Sequence, residues 1–210
     1  MQIMRKRFSS ISGFVLAGGE SRRMGRPKDQ LVVGGEKMLD RQIRLLRAVS
    51  RSVVVLGPAE RLARLDAPVI SDEKPRLGPL GGIYTALNMT RTEYNLFLGC
   101  DLPFITAQFL RFLCDKALAS EADVTVPESP RRQLHPTCAI YRRRARSAVR
   151  ASLESGDFRV RAFFPRVECL VLPWPEIAHR GFHPRIFDNM NTPADYEAAK
   201  RLRELRSYQL

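Results

Sequence analysis

The chain has 210 residues, 44% of them hydrophobic and 27% charged, with 13 Gly and 14 Pro. That is enough to bury one full core, and it excludes collagen-like, low-complexity and wholly disordered chains. Its 35 basic and 22 acidic residues give +13 and a pI near 10.3, which points to an anionic partner: nucleotide phosphates, nucleic acid or an acidic membrane surface.

Apolar runs and amphipathic segments alternate along the chain. Ile11 to Ala17 reads as a buried strand with glycines directly behind it, and Leu31 to Val33, closed by Gly34-Gly35, as a short strand and turn. Met38 to Val49 is helical: Leu39, Ile43, Leu46 and Val49 share a face, with Arg41, Arg44 and Arg47 mostly outside it. Ser52 to Leu56 and Pro68 to Ile70 are strands. Gly78 to Gly82 punctuates before a helix of about eight residues ending near Met89. Asn95 to Gly99 is another buried strand, running straight into Cys100-Asp101. A helix over Thr106 to Ala119 and strands at Val124 to Val126 and Thr137 to Tyr141 follow. Arg142 to Ser155 should be a basic helix, Val167 to Leu172 a strand, and Trp174 to Pro184 a loop. The last helix opens at Pro193, with Thr192 as N-cap and Asp195 completing an arrangement like a capping box. Strand–helix alternation implies an α/β, doubly wound and mostly parallel sheet with helices on both faces, a Rossmann-like plan. Such sheets bind ligands at the carboxyl ends of their strands.

The four cysteines, Cys100, Cys114, Cys138 and Cys169, are far apart and form no metal-ligand spacing. They read as free thiols of a reducing cytosol. Arg5-Lys6-Arg7 precedes an apolar run, Phe14 to Ala17, too short for a signal peptide, and no stretch approaches the ~20 apolar residues of a membrane span. The expected location is cytoplasmic.

Three places behind strands carry chemistry. In Leu16-Ala17-Gly18-Gly19-Glu20-Ser21-Arg22-Arg23-Met24-Gly25-Arg26-Pro27-Lys28 a strand ends in two glycines, which let backbone N–H groups approach a ligand. Arg22, Arg23, Arg26 and Lys28 then add four cations, making a triphosphate cradle. It is neither a Walker loop nor a GxGxxG fingerprint. Asp101, directly behind a strand and before Leu102-Pro103, is placed either to hold Mg²⁺ or to cap the next helix, a task for which Thr106 is also suited. Ser71-Asp72 and Gly78-Pro79-Leu80-Gly81-Gly82-Ile83 can hold a base or ribose and bring a helix start to the ligand, or simply form a turn.

With His135-Pro136-Thr137 and Asn189-Met190-Asn191-Thr192-Pro193-Ala194-Asp195, these stations follow one another in the order found in the molybdenum cofactor guanylyltransferases. LAGGESRRMGRPK resembles that family's LAGGxSxRMGxxK signature, and the resemblance spans roughly positions 11 to 200. The first motif is shared with a wider nucleotidyltransferase superfamily, whereas HPT with NxNTP is more specific. The resemblance implies one nucleotidyltransferase domain over 1–210, with a nucleotide-binding half over about 11–105 and a pterin-substrate half over about 106–206. It implies transfer of GMP from GTP to the terminal phosphate of molybdenum-loaded molybdopterin, releasing pyrophosphate. Leu16, Ala17, Gly18, Gly19, Lys28, Asp72 and Asp101 then hold the nucleotide. Asp101 holds the cofactor Mg²⁺, and Lys28 with Arg23 stabilises the departing pyrophosphate. Where some members carry an Asn behind the third strand, this chain has Val55-Leu56-Gly57-Pro58, so base recognition there would lean on backbone groups. Molybdoenzyme apoproteins or cofactor chaperones are implied as further partners, and neither nucleic acid nor membrane is.

Signals in the second half are weaker. Arg131 and Arg132, with Asn189 and Asn191, are candidates for the pterin phosphate, although the asparagines also suit turns and caps. Arg142, Arg143, Arg144, Arg146 and Arg150 read either as a dock for that phosphate or a partner enzyme, or as a solvated helix face. His135 is not read as a catalytic base. Rival readings are a cytidylyltransferase acting on the same pterin, another nucleotidyltransferase such as a sugar-nucleotide pyrophosphorylase, and a basic nucleic-acid-binding domain. The last would need aromatic stacking positions, and the arginine run offers only Tyr141.

Overall fold

A computed structural model of the protein describes residues 8–18, 24–25, 27–62, 65–72 and 77–207. Strand β1 (Phe8–Leu16) lies between two parallel neighbours, β4 (Ser50–Leu56) and β6 (Tyr94–Gly99), and β5 (Val69–Ile70) adds in parallel beyond β4. On the other side β8 (Cys138–Arg142) pairs antiparallel with both β6 and β7 (Val124–Pro127), and β9 (Cys169–Leu172) pairs parallel with β7. Among the described residues the order is β5-β4-β1-β6-β8-β7-β9. The sheet is thus mostly parallel, as expected, with one reversed strand inside it.

Side chains of successive strand residues go to opposite faces, and both faces are covered. Ile11, Val15, Leu96, Leu98 and Ile140 join α1 (Met38–Arg47) and α4 (Ala107–Leu118) in one buried cluster. Phe14, Phe97, Ala139 and Tyr141 face α3 (Gly78–Met89) and α5 (Arg146–Glu154) in a second. Phe14 stacks on Phe97 at 5.2 Å, and Tyr141 meets Phe97 edge-on at 5.3 Å, so three strands are locked through one aromatic row.

A third, smaller cluster matters most for function. Met24 and Leu31, from the segment around Lys28, pack with Phe104, Met190 and Ala199 of α7 (Pro193–Ser207). Beside it a hairpin of β2 (Val32–Val33) and β3 (Glu36–Lys37) turns through Gly34 and Gly35 at φ 62° and 77°. Two positive φ values in a row are what a two-residue hairpin turn demands of its central residues. The opening of α7 is the expected capping box: Thr192 Oγ1 accepts from the Asp195 amide, and Asp195 Oδ2 accepts from the Thr192 amide.

Several expectations are corrected. Helix α3 starts at Gly78 rather than behind Gly82, and runs 12 residues. Gly82 is a point of close approach, since a Cβ there would sit 3.2 Å from Leu16 and 3.3 Å from Asp72 Oδ1. Arg41 is buried, not outside, with its guanidinium donating to the Ile105 carbonyl at 2.6 Å; burial, with Arg203 and Arg44 nearby, brings its pKa down to about 9. The stretch Trp174 to Pro184 is not a loop throughout. It holds α6 (Trp174–His179), whose proline occupies the first helical turn, where no amide partner is needed. Arg142 ends β8, and Arg143–Ala145 is one 3₁₀ turn before α5. A further 3₁₀ segment, Val160–Arg166, was not anticipated; it buries Phe163. The strand expected from Val167 begins at Cys169.

Candidate functional site

Strand register builds the site. Leu16 is paired with Leu56 on one side and Gly99 on the other, and Leu56 with Ile70. Four parallel strands therefore end in one row, and the residues just beyond them, Ala17-Gly18, Gly57, Asp72 and Asp101, share one edge of the sheet. Strands β4 and β5 are added on one side of β1 and β6 on the other, all parallel, and at such a switch in strand order open α/β sheets leave a crevice.

Both carboxylates at this edge are under-satisfied. Asp72 Oδ1 and Asp101 Oδ1 are buried without a hydrogen-bond partner among the described residues. Burial raises the Asp72 pKa above its ordinary value, because a half-buried carboxylate without donors is penalised when charged. Gly18 leaves room before it: a Cβ there would come 3.7 Å from Asp72 Oδ2. Buried acceptors left open among the described residues are places for a donor or a cation.

Asp101 is held by its backbone and neighbours rather than by its own side chain. The Met190 amide donates to the Asp101 carbonyl at 2.9 Å. Gln42 of α1, wholly buried, donates from Nε2 to the carbonyls of Gly99 and Leu102 at 3.2 and 3.1 Å. A Cβ at Gly99 would lie 2.7 Å from Asp101 Oδ1, so the strand end must be glycine for the carboxylate to stand there. Thr106 caps α4, its Oγ1 accepting from the Phe109 amide at 3.1 Å. The capping alternative for Asp101 is thereby removed. Gln42 was missed in the sequence; its one signal is a polar side chain beside Ile43 on an apolar face. Gln42→Leu strips the two carbonyls of their donor at about 1–3 kcal/mol each. The denaturation midpoint should fall, and turnover per folded molecule should fall with it as the Asp101 turn loosens. Unchanged turnover would deny that Gln42 positions Asp101.

Lys28 opens a 3₁₀ turn, Lys28–Gln30, and joins two halves of the chain. Its Nζ donates to Asn191 Oδ1 at 2.6 Å and lies 3.8 Å from Asp101 Oδ2. Lys28, Asp101 and Asn191 are therefore one constellation. Gly19, Arg22, Arg23 and Arg26 lie outside the described residues.

The remaining candidates separate. Ser129 to Gln133 is a tight turn, with the Arg132 amide on the Ser129 carbonyl at 2.9 Å and Ser129 Oγ accepting from the Gln133 amide at 3.3 Å. Arg132 has φ 56°, a left-handed conformation costly for a residue with a Cβ. Arg132 and Asn189 line a cleft of about 320 Å³ with Asp101, His135, Thr137 and Arg161. Arg131 lines an adjoining cleft of about 530 Å³ with Phe104, Arg185, Phe187 and Asn191. His135 and Asn189 border both. Arg161, in the unanticipated 3₁₀ segment, had no distinguishing sequence signal. The basic run at α5 is largely neutralised within the chain: Arg142 pairs with Glu93 at 2.7 Å and Glu121 at 3.0 Å, Arg144 with Asp123, and Arg150 with Glu154 at 2.8 Å.

Comparison with known proteins agrees with this geometry. Residues 13–169 match the MobA-like NTP transferase domain. A "probable molybdenum cofactor guanylyltransferase" of Carboxydothermus hydrogenoformans is 31% identical over 91% of this chain and 96% of its own. One of Pelotomaculum thermopropionicum is 32% identical over 92% and 93%. The crystal structure of molybdopterin-guanine dinucleotide biosynthesis protein A from Archaeoglobus fulgidus superposes with a TM-score of 0.82 at 22% identity, over 92% of this chain and 99% of that one, and so shares the fold. With Asp72, Asp101, Lys28 and Gly18 gathered at the strand ends, the chain belongs to the MobA-like NTP transferase family and is a nucleotidyltransferase.

Proposed function

We propose that the protein transfers GMP from GTP to the terminal phosphate of molybdenum-loaded molybdopterin, yielding molybdopterin guanine dinucleotide and pyrophosphate. The observation that carries this reading is the gathering of Lys28, Asp101 and Asn191 beside the Gly18 edge, in a chain whose relatives bear that name.

A phosphate oxygen of the acceptor forms a bond to the α-phosphorus of GTP, and the bond from that phosphorus to the bridging oxygen breaks, releasing pyrophosphate. The attacking oxygen is already anionic near neutral pH, so no strong base is needed; alignment and charge neutralisation do the catalysis. Leu16, Ala17, Gly18 and Gly19 approach the nucleotide with backbone groups, and Lys28 with Arg23 neutralises the leaving pyrophosphate. The open Oδ1 of Asp101 fits Mg²⁺, a hard cation that takes one or two carboxylates and completes its shell with water and phosphate oxygens. When bound, Mg²⁺ would supply charge for the phosphates. The acceptor falls to the second half, about 106–206, through Arg131, Arg132, Asn189 and Asn191, and the nucleotide to about 11–105. Four free cysteines, three of them buried, suit the cytoplasm, and among the described residues no helix is long and apolar enough to cross a membrane. Molybdoenzyme apoproteins or cofactor chaperones would receive the product.

Guanine is selected, on this reading, by Asp72. Guanine presents two adjacent donors, N1–H and the exocyclic amine, to a carboxylate that has an open buried oxygen; adenine presents none in that pattern. Asp72→Asn should raise the GTP KM at least tenfold and narrow the preference over ATP, while thermal stability holds or rises because a penalised buried charge is gone. Unchanged GTP preference in Asp72→Asn would remove guanine recognition from this residue.

A further inference from the structure

Behind Asp101 the chain runs through Leu102, Pro103, Phe104 and Ile105 before α4, with no helix or strand to fix it. Its carbonyls are held from elsewhere in the fold. The Met190 amide takes that of Asp101, and Gln42 that of Leu102. Two guanidinium groups take others: Arg203 of α7 donates to the Pro103 carbonyl at 2.7 Å, and Arg41 of α1 to the Ile105 carbonyl at 2.6 Å. Arg41 also brings Nη1 to 3.5 Å from Gln42 Oε1, which turns the donor end of that amide toward Gly99 and Leu102. Arg203 is itself braced. Its guanidinium lies over the Phe104 ring, 5.8 Å from the centroid, and its stem crosses Gly34, where a Cβ would meet Arg203 Cβ at 3.4 Å. On the same helix Tyr196 donates its hydroxyl to the Val32 carbonyl at 3.0 Å. Helix α7 is thereby tied to the hairpin on one side and to the segment behind Asp101 on the other. This arrangement carries a penalty, because Arg41 is 5% exposed and Arg203 and Arg44 lie close enough to lower its pKa along with burial. Apolar side chains would fill the space without that penalty. What they cannot do is fix the direction of a carbonyl, and with it the peptide planes leading back to Asp101.

We propose that Arg203 and Arg41 are positioning residues for the transfer reaction: by holding the Pro103 and Ile105 carbonyls they set where the Asp101 carboxylate stands at the strand end. The assignment rests on the transfer reaction proposed above, and it gives α7 a part in the site beyond packing. Asp101 needs such support because its own side chain is scarcely tied: among the described residues Oδ1 has no partner, and Oδ2 lies 3.8 Å from Lys28. A carboxylate that must meet a hard cation and a triphosphate tolerates little misplacement. Groups that orient a metal ligand from behind are typically worth about 10–100-fold in metal affinity or activity.

Arg203→Met keeps a stem over Gly34 and removes the donor. The Mg²⁺ concentration giving half-maximal turnover should rise about tenfold or more, with the GTP KM at saturating Mg²⁺ within about twofold. Arg203→Lys, which retains charge and a donor, should fall between Arg203→Met and the parent. Arg201→Met, at an exposed position of the same helix, should match the parent. Amide hydrogen exchange, followed by NMR on the full chain without substrates, reads the segment independently of turnover. In Arg203→Met the Met190 amide, bonded to the Asp101 carbonyl, should exchange roughly tenfold faster. The Gly99 amide on the Thr137 carbonyl and the Tyr196 amide on the Thr192 carbonyl should stay near their parental rates. A parental Mg²⁺ requirement or unmoved Met190 exchange overturns the positioning role. Equal quickening at all three amides does so too, since Arg203 would then only hold the fold together. The two readings fail separately. Quickened Met190 exchange alone, in a protein that does not turn over GTP with loaded pterin, supports the hold on the Asp101 segment and sinks the proposed reaction. GMP transfer with unmoved Met190 exchange does the reverse.

Discussion

Asp101→Asn should lose roughly 10²–10³-fold in turnover while melting within about 1 kcal/mol of the parent. The side chain's contribution to the fold is small: Oδ1 has no partner among the described residues, Oδ2 is 3.8 Å from Lys28, and Thr106 does the capping. The turn is held instead by Gln42 and the Met190 amide, neither of which the substitution touches. An amide keeps size and hydrogen bonding but lacks the charge a hard cation requires. GTP should still bind through the Gly18 loop and Lys28, and raising Mg²⁺ should recover part of the lost rate by mass action. Turnover within a few-fold of the parent at ordinary Mg²⁺ would remove Asp101 as the metal ligand.

Lys28→Ala should be of similar size, at roughly 10²-fold or more in turnover, and for a different reason. Its ammonium sits between Asn191 and Asp101, where it can meet the phosphates that leave. Partly exposed pairs of this kind contribute only about 0–1 kcal/mol to stability, so the folded fraction should hardly change. Lys28→Arg should recover part of the rate, since charge is kept while the point geometry of the ammonium is not. If Lys28→Ala chiefly unfolds the protein and the folded fraction works normally, the lysine is a strut between the segments bearing Lys28 and Asn191 and nothing more.

Much of the frame was legible because strand interiors here are short apolar runs stopped by glycine or a carboxylate. The strands expected at Ser52 to Leu56 and Asn95 to Gly99 are found within two residues, as Ser50–Leu56 and Tyr94–Gly99. The α7 start was legible for the same local reason: Thr192, Pro193 and Asp195 carry their own capping chemistry. What stayed hidden was set by distant contacts. Gly82 looks like punctuation until Leu16 and Asp72 are seen close against it, and Pro175 looks like a breaker until it falls in the first turn of α6. Arg41 lies on the polar side of its helix by periodicity, and only the Ile105 carbonyl explains its burial. In the site, Lys28 and Asp101 stood out by position behind strands, but their meeting with Asn191 spans 163 residues. Arg161 is one of 29 arginines; only the fold separates it from those with partners.

The account is tested most directly by pyrophosphate release from the full-length protein given GTP, ATP, CTP or UTP in turn, each with Mg²⁺ and molybdenum-loaded molybdopterin. Release with GTP, matched mole for mole by guanine dinucleotide and absent without the pterin, is the predicted result. Equal release from all four nucleotides, preference for CTP, or release independent of the pterin would contradict it.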